Sequence, residues 1–135
     1  EMAVLFSELG SNIFTYLQLV DDIRDASSAE GISRDMRQRK KTLPLLYFCN
    51  WLSADGEDAA GGIMPAEFGA ESRETLARAF DATRAGVFGA IVAEAHLNRA
   101  MANLAELSER LGPLEHLERY IDGIELIPLE ALAPA

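Results

Sequence analysis

Residues 17–25 read Leu-Gln-Leu-Val-Asp-Asp-Ile-Arg-Asp, and residues 34–44 read Arg-Asp-Met-Arg-Gln-Arg-Lys-Lys-Thr-Leu-Pro. The first stretch continues a pattern of apolar residues at helical spacing, namely Leu5, Leu9, Ile13, Leu17 and Val20. This pattern predicts a helix from about residue 2 to about residue 27, with a group of acids in its last turns. A helical fold is therefore indicated, with acids beside a group of bases.

The rest of the chain also favours helices, because no alternating strand pattern occurs in it. Residues 28–41 are polar and predict a loop or a short turn of helix. A short buried helix is expected from Leu43 to about Leu52, with Thr42 as its N-cap. Glycine-rich residues 53–70 predict a flexible loop.

Two further helices are predicted downstream, one from Glu71 to Leu111 and one from about Leu114 to Ile124. Gly112 and Pro113 separate them. Small residues near Gly89 indicate either a close approach by a neighbouring helix or a bend. The expected fold class is all-α, with residues 1–135 forming a single helical unit.

Composition narrows the possible functions. The net charge is −10, which disfavours binding to nucleic acid or to anionic membranes. No run approaches the roughly 18 apolar residues that cross a bilayer, so no transmembrane segment is expected. The single cysteine, Cys49, suits a reducing compartment and hence a cytoplasmic location.

Asp21 and Asp25 are four residues apart and share a helix face with Gln18, while Asp22 lies close to that face. Oxygen ligands of this kind suit Mg²⁺, which keeps several waters and bridges to phosphates. Carboxylates in the last turns of a helix also repel its negative end, a penalty that a bound cation reverses. The alternative is a solvated acidic helix end with Arg24 as its local partner.

Five cationic side chains fall within residues 34–41, although the chain has only 12 Lys and Arg residues: Arg34, Arg37, Arg39, Lys40 and Lys41. Arg binds phosphate as a fork and Lys as a point charge. The cluster is therefore a candidate for holding a diphosphate. A solvated loop, or a patch for another anionic partner, is the alternative.

Together, the two segments resemble the second aspartate-rich region of the trans-isoprenyl diphosphate synthases, the polyprenyl synthetase family. That family shows Phe-Gln-x-x-Asp-Asp-x-x-Asp, followed by Asp-Leu-x-x-Gly-Lys-x-Thr-Leu-Pro. Residues 17–25 and 35–44 match these motifs in order and spacing. The resemblance implies the C-terminal half of a class I isoprenoid synthase helical bundle.

The resemblance also implies a function: Mg²⁺-dependent condensation of an allylic diphosphate with isopentenyl diphosphate. Asp21 and Asp25 would bind Mg²⁺, with Asp22 assisting. Gln18 and Lys40 would be the catalytic residues. Diphosphate would be bound by three neighbouring cations, Arg39, Lys40 and Lys41. Asp35 would orient the loop.

Three positions depart from the family pattern. Arg39 replaces a glycine, Leu17 replaces a phenylalanine, and Ala29–Gly31 occupy the region of an upstream lysine. The family's first aspartate-rich motif has no counterpart. We therefore expect a missing N-terminal half or a partner subunit, inactivity of the isolated chain, and a homodimeric whole protein.

Two alternatives remain: a non-catalytic half-length subunit of a partner prenyl synthase, and a peptide-prenylating quorum-sensing relative. A terpene cyclase fits poorly, because Asp25 and Ala29 stand where its second metal motif needs Ser or Thr and then Glu.

Overall fold

The computed structural model describes residues 1–54 and 73–127, and within these ranges the chain forms six helices and no strand. The helices are α1 Met2–Ala26, α2 Ala29–Arg37, α3 Leu43–Ala54, α4 Arg73–Ala82, α5 Ala85–Leu111 and α6 Glu115–Asp122. The all-α prediction is confirmed for this part of the chain. No helix there is long and apolar enough to cross a membrane.

The long helices α1 and α5 form an antiparallel pair. Asn12 Oδ1 in α1 lies 2.8 Å from His96 Nδ1 in α5, and further along α1 Ile23 packs against Gly89, nearer the start of α5. Between the two helices, a first apolar core includes Leu9, Tyr16, Val20, Leu97, Leu104 and Leu107. Ile121 of α6 completes this core, so α6 is held beside the α1–α5 pair.

A second apolar core surrounds the C-terminal end of α1. It joins α1 to α2, α3, α4 and the start of α5 through Ala26, Ile32, Met36, Leu45, Phe48, Leu76, Phe80 and Ala85. The rings of Phe48 and Phe80 meet edge to face, with centroids 5.6 Å apart. This core fixes the position of α2 relative to the last turns of α1.

The α1 prediction agrees closely with the structure, whereas residues 28–41 are more ordered than predicted. Ser28 is the N-cap of α2, because its Oγ accepts a hydrogen bond from the Gly31 amide at 2.9 Å. Ile32 and Met36 lie one turn apart and are both buried. This helix is difficult to predict from its polar composition, because Ile32 and Met36 are its only large buried apolar side chains.

Two predictions around α3 need correction. Thr42 does not cap the helix with its side chain: its buried Oγ1 has no hydrogen-bond partner within the described residues, and its carbonyl accepts from the Leu46 amide at 2.9 Å. Residues 53 and 54 of the predicted loop complete α3. The remaining loop residues, 55–70, lie outside the described part.

The single helix predicted from Glu71 to Leu111 is wrong, because the helix ends at Ala82 and resumes at Ala85. Thr83 donates its hydroxyl to the Phe80 carbonyl at 2.7 Å, and Arg84 takes a left-handed conformation with φ of 56°. The break lets both Phe80 and Ala85 enter the second core. The last helix, α6, lies within the predicted range.

Aromatic residues divide between core and surface. Phe48 is buried as expected, and Tyr47 is half-buried and stacks on Phe88 with centroids 4.4 Å apart. Trp51 lies in the helix that the sequence predicts to be buried, but it is 43% exposed. Phe14 is 66% exposed, so it does not belong to the core of this part of the chain.

Candidate functional site

A tight turn brings the acidic and basic segments together. The chain passes from α1 to α2 through Ser27 and Ser28, and Gly31 lies directly against the end of α1. A Cβ at Gly31 would lie 1.9 Å from the Asp25 carbonyl oxygen, which no side chain tolerates. Glycine therefore permits α2 to pack this closely against the carboxylate turn.

The carboxylate of Asp35 in α2 is buried, with 1% of its side chain exposed. Its Oδ1 accepts from Lys40 Nζ at 2.7 Å and from Arg34 Nε at 3.3 Å. A buried carboxylate requires such partners, because an isolated charge is costly to remove from water. Asp35 thus holds two cations of the basic cluster in fixed positions.

The same two cations reach Asp25 in α1. The Nη2 atom of Arg34 donates a hydrogen bond to Asp25 Oδ2 at 2.9 Å, and Lys40 Nζ lies 4.0 Å from that oxygen. About half of the Asp25 side chain is exposed. Charged residues nine to fifteen positions apart in sequence therefore meet in one cluster.

The backbone before Lys40 adopts a conformation that favours glycine. Arg39 has a φ of 52°, in the left-handed region, and the Lys40 amide donates to the Asp35 carbonyl at 3.1 Å. The prenyl synthase motif has glycine at the position of Arg39. Arg39 follows Gln38, the C-cap of α2, and helices commonly take this conformation at that position.

Asp22, three residues before Asp25 in α1, is half-buried. Burial raises the pKa of its carboxyl, the nearby Lys40 lowers it, and the negative charges of Asp35, Asp25 and Asp21 raise it further. The charged form of Asp22 is therefore disfavoured at this position, mainly because the carboxyl is partly removed from water.

Asp21 faces a different neighbour. It lines a groove of about 560 Å³ between α1 and α6, together with Arg24, Arg119 and Tyr120. The exposure of Asp21 agrees with the alternative of a solvated acidic helix end, but Arg24 pairs with Glu125 at 2.9 Å rather than with that turn. Neither Arg119 nor Tyr120 could be assigned to this groove from the sequence, because α6 begins 89 residues after the end of α1 (Glu115 after Ala26).

The other predicted site residues are at the surface. Gln18 is exposed on the α1 face that continues to Asp21 and Asp25. Arg39 and Lys41 are exposed and form no ion pair with the rest of the described chain. Their assigned roles toward a substrate stay predictions.

The arrangement of acids bears on how Mg²⁺ would fit. In the described ranges, no three or more His, Cys, Asp and Glu side chains converge to hold a metal ion. Asp25 is engaged by Arg34 instead. However, Mg²⁺ commonly uses one or two carboxylates when substrate phosphates and water supply the other ligands. The described residues show no preformed metal site, and the Mg²⁺ site stays a prediction.

No family model matches this chain, and comparisons with curated proteins and with solved structures likewise found no match.

Proposed function

We propose that this chain is the C-terminal half of a Mg²⁺-dependent trans-prenyltransferase. In this proposal the whole protein condenses an allylic diphosphate with isopentenyl diphosphate, within a class I isoprenoid synthase bundle. The chain contributes the second aspartate-rich motif and the basic segment that follows it. One observation carries the proposal: Lys40 lies between the buried Asp35 and the exposed Asp25.

This arrangement suits an anion that arrives together with a divalent cation. Lys40 and Arg34 are held in place by Asp35, so little side-chain entropy is lost when they meet a ligand. Asp25 would hold Mg²⁺ when the metal is bound, and the Arg34 guanidinium, no longer paired with Asp25, would be able to bind a phosphate oxygen. Asp21 and Asp22 would contribute further oxygen atoms to the metal or to its waters.

In the proposed reaction the chain's residues act on the leaving group. Lys40 and Arg34 would stabilise the charge that develops on the departing diphosphate. Bound Mg²⁺ would supply further positive charge there. Gln18 would lie near the reacting carbons, one turn before Asp21 on the same exposed face of α1.

The proposal also includes the cellular location and the assembly of the protein. We place the enzyme in the cytoplasm, which suits a chain with one cysteine and a net charge of −10. A homodimer, and the N-terminal half that would carry the first aspartate-rich motif, also belong to the proposal.

Calorimetric titration of the 135-residue chain with pyrophosphate in excess Mg²⁺ tests the binding step. We expect the wild type to bind and Asp25→Asn to bind at least about tenfold more weakly, because a charged ligand contact is lost. Asp81→Asn is the matched control, since Asp81 is an exposed aspartate on α4. Equal affinity in all three proteins would overturn the proposal.

The condensation step is tested separately. Because the sequence holds only one Asp-Asp-x-x-Asp motif, we expect the chain by itself not to convert geranyl diphosphate and isopentenyl diphosphate. Sustained Mg²⁺-dependent turnover by the 135-residue chain would contradict the proposal that it holds only half of the active site.

A further inference from the structure

The groove between α1 and α6 combines an apolar wall with charged groups. Leu17 and Ile124 line it beside Asp21, Arg24 and Arg119. Its volume of about 560 Å³ is sufficient for a small phosphorylated ligand. Asp21 is common to this groove and to the carboxylate turn, so the groove adjoins the candidate site.

The two arginines of the groove differ in their partners. Arg24 is paired with Glu125 at 2.9 Å. The Nε of Arg119 donates to the Glu115 carbonyl at 3.3 Å, and one NH2 group contacts His116 Nδ1 at 3.4 Å. No carboxylate in the described ranges pairs with Arg119. In a chain with 22 acidic and 12 basic residues, an arginine without an acidic partner retains its charge for another anion.

Arg119 adds a cation from a second part of the fold. Arg34 of α2 and Lys40, which follows α2, approach Asp25, while Arg119 of α6 and Asp21 line the same groove. A diphosphate beside Asp21 and Asp25 has negative oxygens on two phosphoryl groups. Cations from these two parts of the fold can therefore each contact one of them.

We infer that Arg119 is a second diphosphate-binding residue, and that the groove between α1 and α6 receives the ligand's second phosphoryl group with the start of its hydrocarbon against Leu17 and Ile124. This inference rests on the proposed function and extends it to α6. The ligand class is a diphosphate ester with an apolar tail rather than a single phosphate.

Arg119→Gln tests the inference, with Arg78→Gln as the matched control. Both arginines are exposed, and both donate Nε to the carbonyl four residues earlier, at 3.3 Å for Arg119 and 3.4 Å for Arg78. Pyrophosphate is titrated into each protein in excess Mg²⁺. We expect the dissociation constant to rise about tenfold for Arg119→Gln and less than about twofold for Arg78→Gln.

One further variant and two further ligands make the test more specific. Arg119→Lys keeps the charge but not the fork, so a smaller loss than for Arg119→Gln is expected. Inorganic phosphate should bind wild type more weakly than pyrophosphate does, and Arg119→Gln should narrow this difference. Geranyl diphosphate should bind more tightly than pyrophosphate, because its tail removes apolar surface from water.

The outcomes separate the inference from the proposed function. If Arg119→Gln binds like Arg78→Gln while Asp25→Asn loses affinity, the role of Arg119 is overturned and the proposed function stands. If the wild type does not bind pyrophosphate with Mg²⁺, both are overturned. Circular dichroism of each variant shows whether the fold is retained.

Discussion

At the scale of single residues, two carboxylates of the site have opposite surroundings. Asp35 is fully buried but contacts both Lys40 and Arg34. Asp22 is half-buried, and burial raises the pKa of its carboxyl despite the nearby Lys40. The ion pairs of Asp35 therefore offset the cost of burying its charge, whereas the burial of Asp22 makes its charged form unfavourable in the folded protein. A residue that destabilises the free protein is a candidate for binding, because a ligand can reverse its penalty.

Asp22→Asn should stabilise the free protein at pH 7. The pKa of Asp22 is higher in the folded protein than in the unfolded chain. As the pH rises, the unfolded chain therefore loses this proton first, and the free energy of unfolding falls until the pH has passed the folded-state pKa. The gain should disappear below about pH 4, where the unfolded carboxyl is also protonated. Thermal unfolding of variant and wild type at pH 7 and pH 3.5 measures this. An Asp22→Asn protein that melts below wild type at pH 7 would contradict it.

Arg39 provides a second prediction at this scale. A left-handed conformation costs a residue with a side chain roughly 1 kcal/mol or more relative to glycine, so Arg39→Gly should raise the free energy of unfolding by about 1 kcal/mol. Arg78→Gly, within α4, should lower it by about 1 kcal/mol, because glycine is a poor helix former. Urea unfolding of the two variants gives both values, and the same sign for both would refute the explanation.

At the scale of helices, the turn between α1 and α2 determines the geometry of the site. Gly31→Ala should destabilise the protein by about 2 kcal/mol or more, because the new Cβ would overlap the Asp25 carbonyl oxygen. Gly10→Ala on the exposed face of α1 is the control. Nothing lies within 4 Å of a Cβ there, so the gain in helix propensity should stabilise the protein by about 1 kcal/mol. Chemical unfolding that shows equal effects at both glycines would rule out the close packing of α2.

Helices with strong apolar periodicity could be predicted from the sequence. α1 was predicted within about one residue, because Leu5, Leu9 and Val20 mark its buried face. α2 is longer than the short turn of helix that was one of the two predictions for residues 28–41. Its length was not predicted because Ile32 and Met36 are its only buried apolar side chains larger than alanine. The break between α4 and α5 was missed because Arg84, not glycine, takes the left-handed conformation.

The site was partly predictable for the same physical reason. Asp21, Asp22 and Asp25 are neighbours on one helix, so local geometry alone puts them together. The burial of Asp35 and its contact with Lys40 depend on the packing of α2 against the second core. Arg119 could not be predicted, because tertiary packing brings α6 to α1 through Ile121 in the first core and Leu117 against it.

At the scale of the whole molecule, the net charge of −10 limits where an anion can bind. An acidic protein repels diphosphates over most of its surface, so binding requires local cations and a metal. Asp35 organises two cations beside the carboxylate turn, and Asp25 is occupied by one of them. Metal and diphosphate should therefore bind together and not separately.

Thermal unfolding of the 135-residue chain, with no addition, with Mg²⁺, with pyrophosphate and with both, measures this joint binding. We expect the melting temperature to rise by about 10 °C only with both, at concentrations about a hundredfold above the dissociation constant. Asp25→Asn should abolish the rise, while Asp81→Asn should retain it. An unchanged melting temperature with both ligands, or the same rise in Asp25→Asn, would refute joint binding at the carboxylate turn.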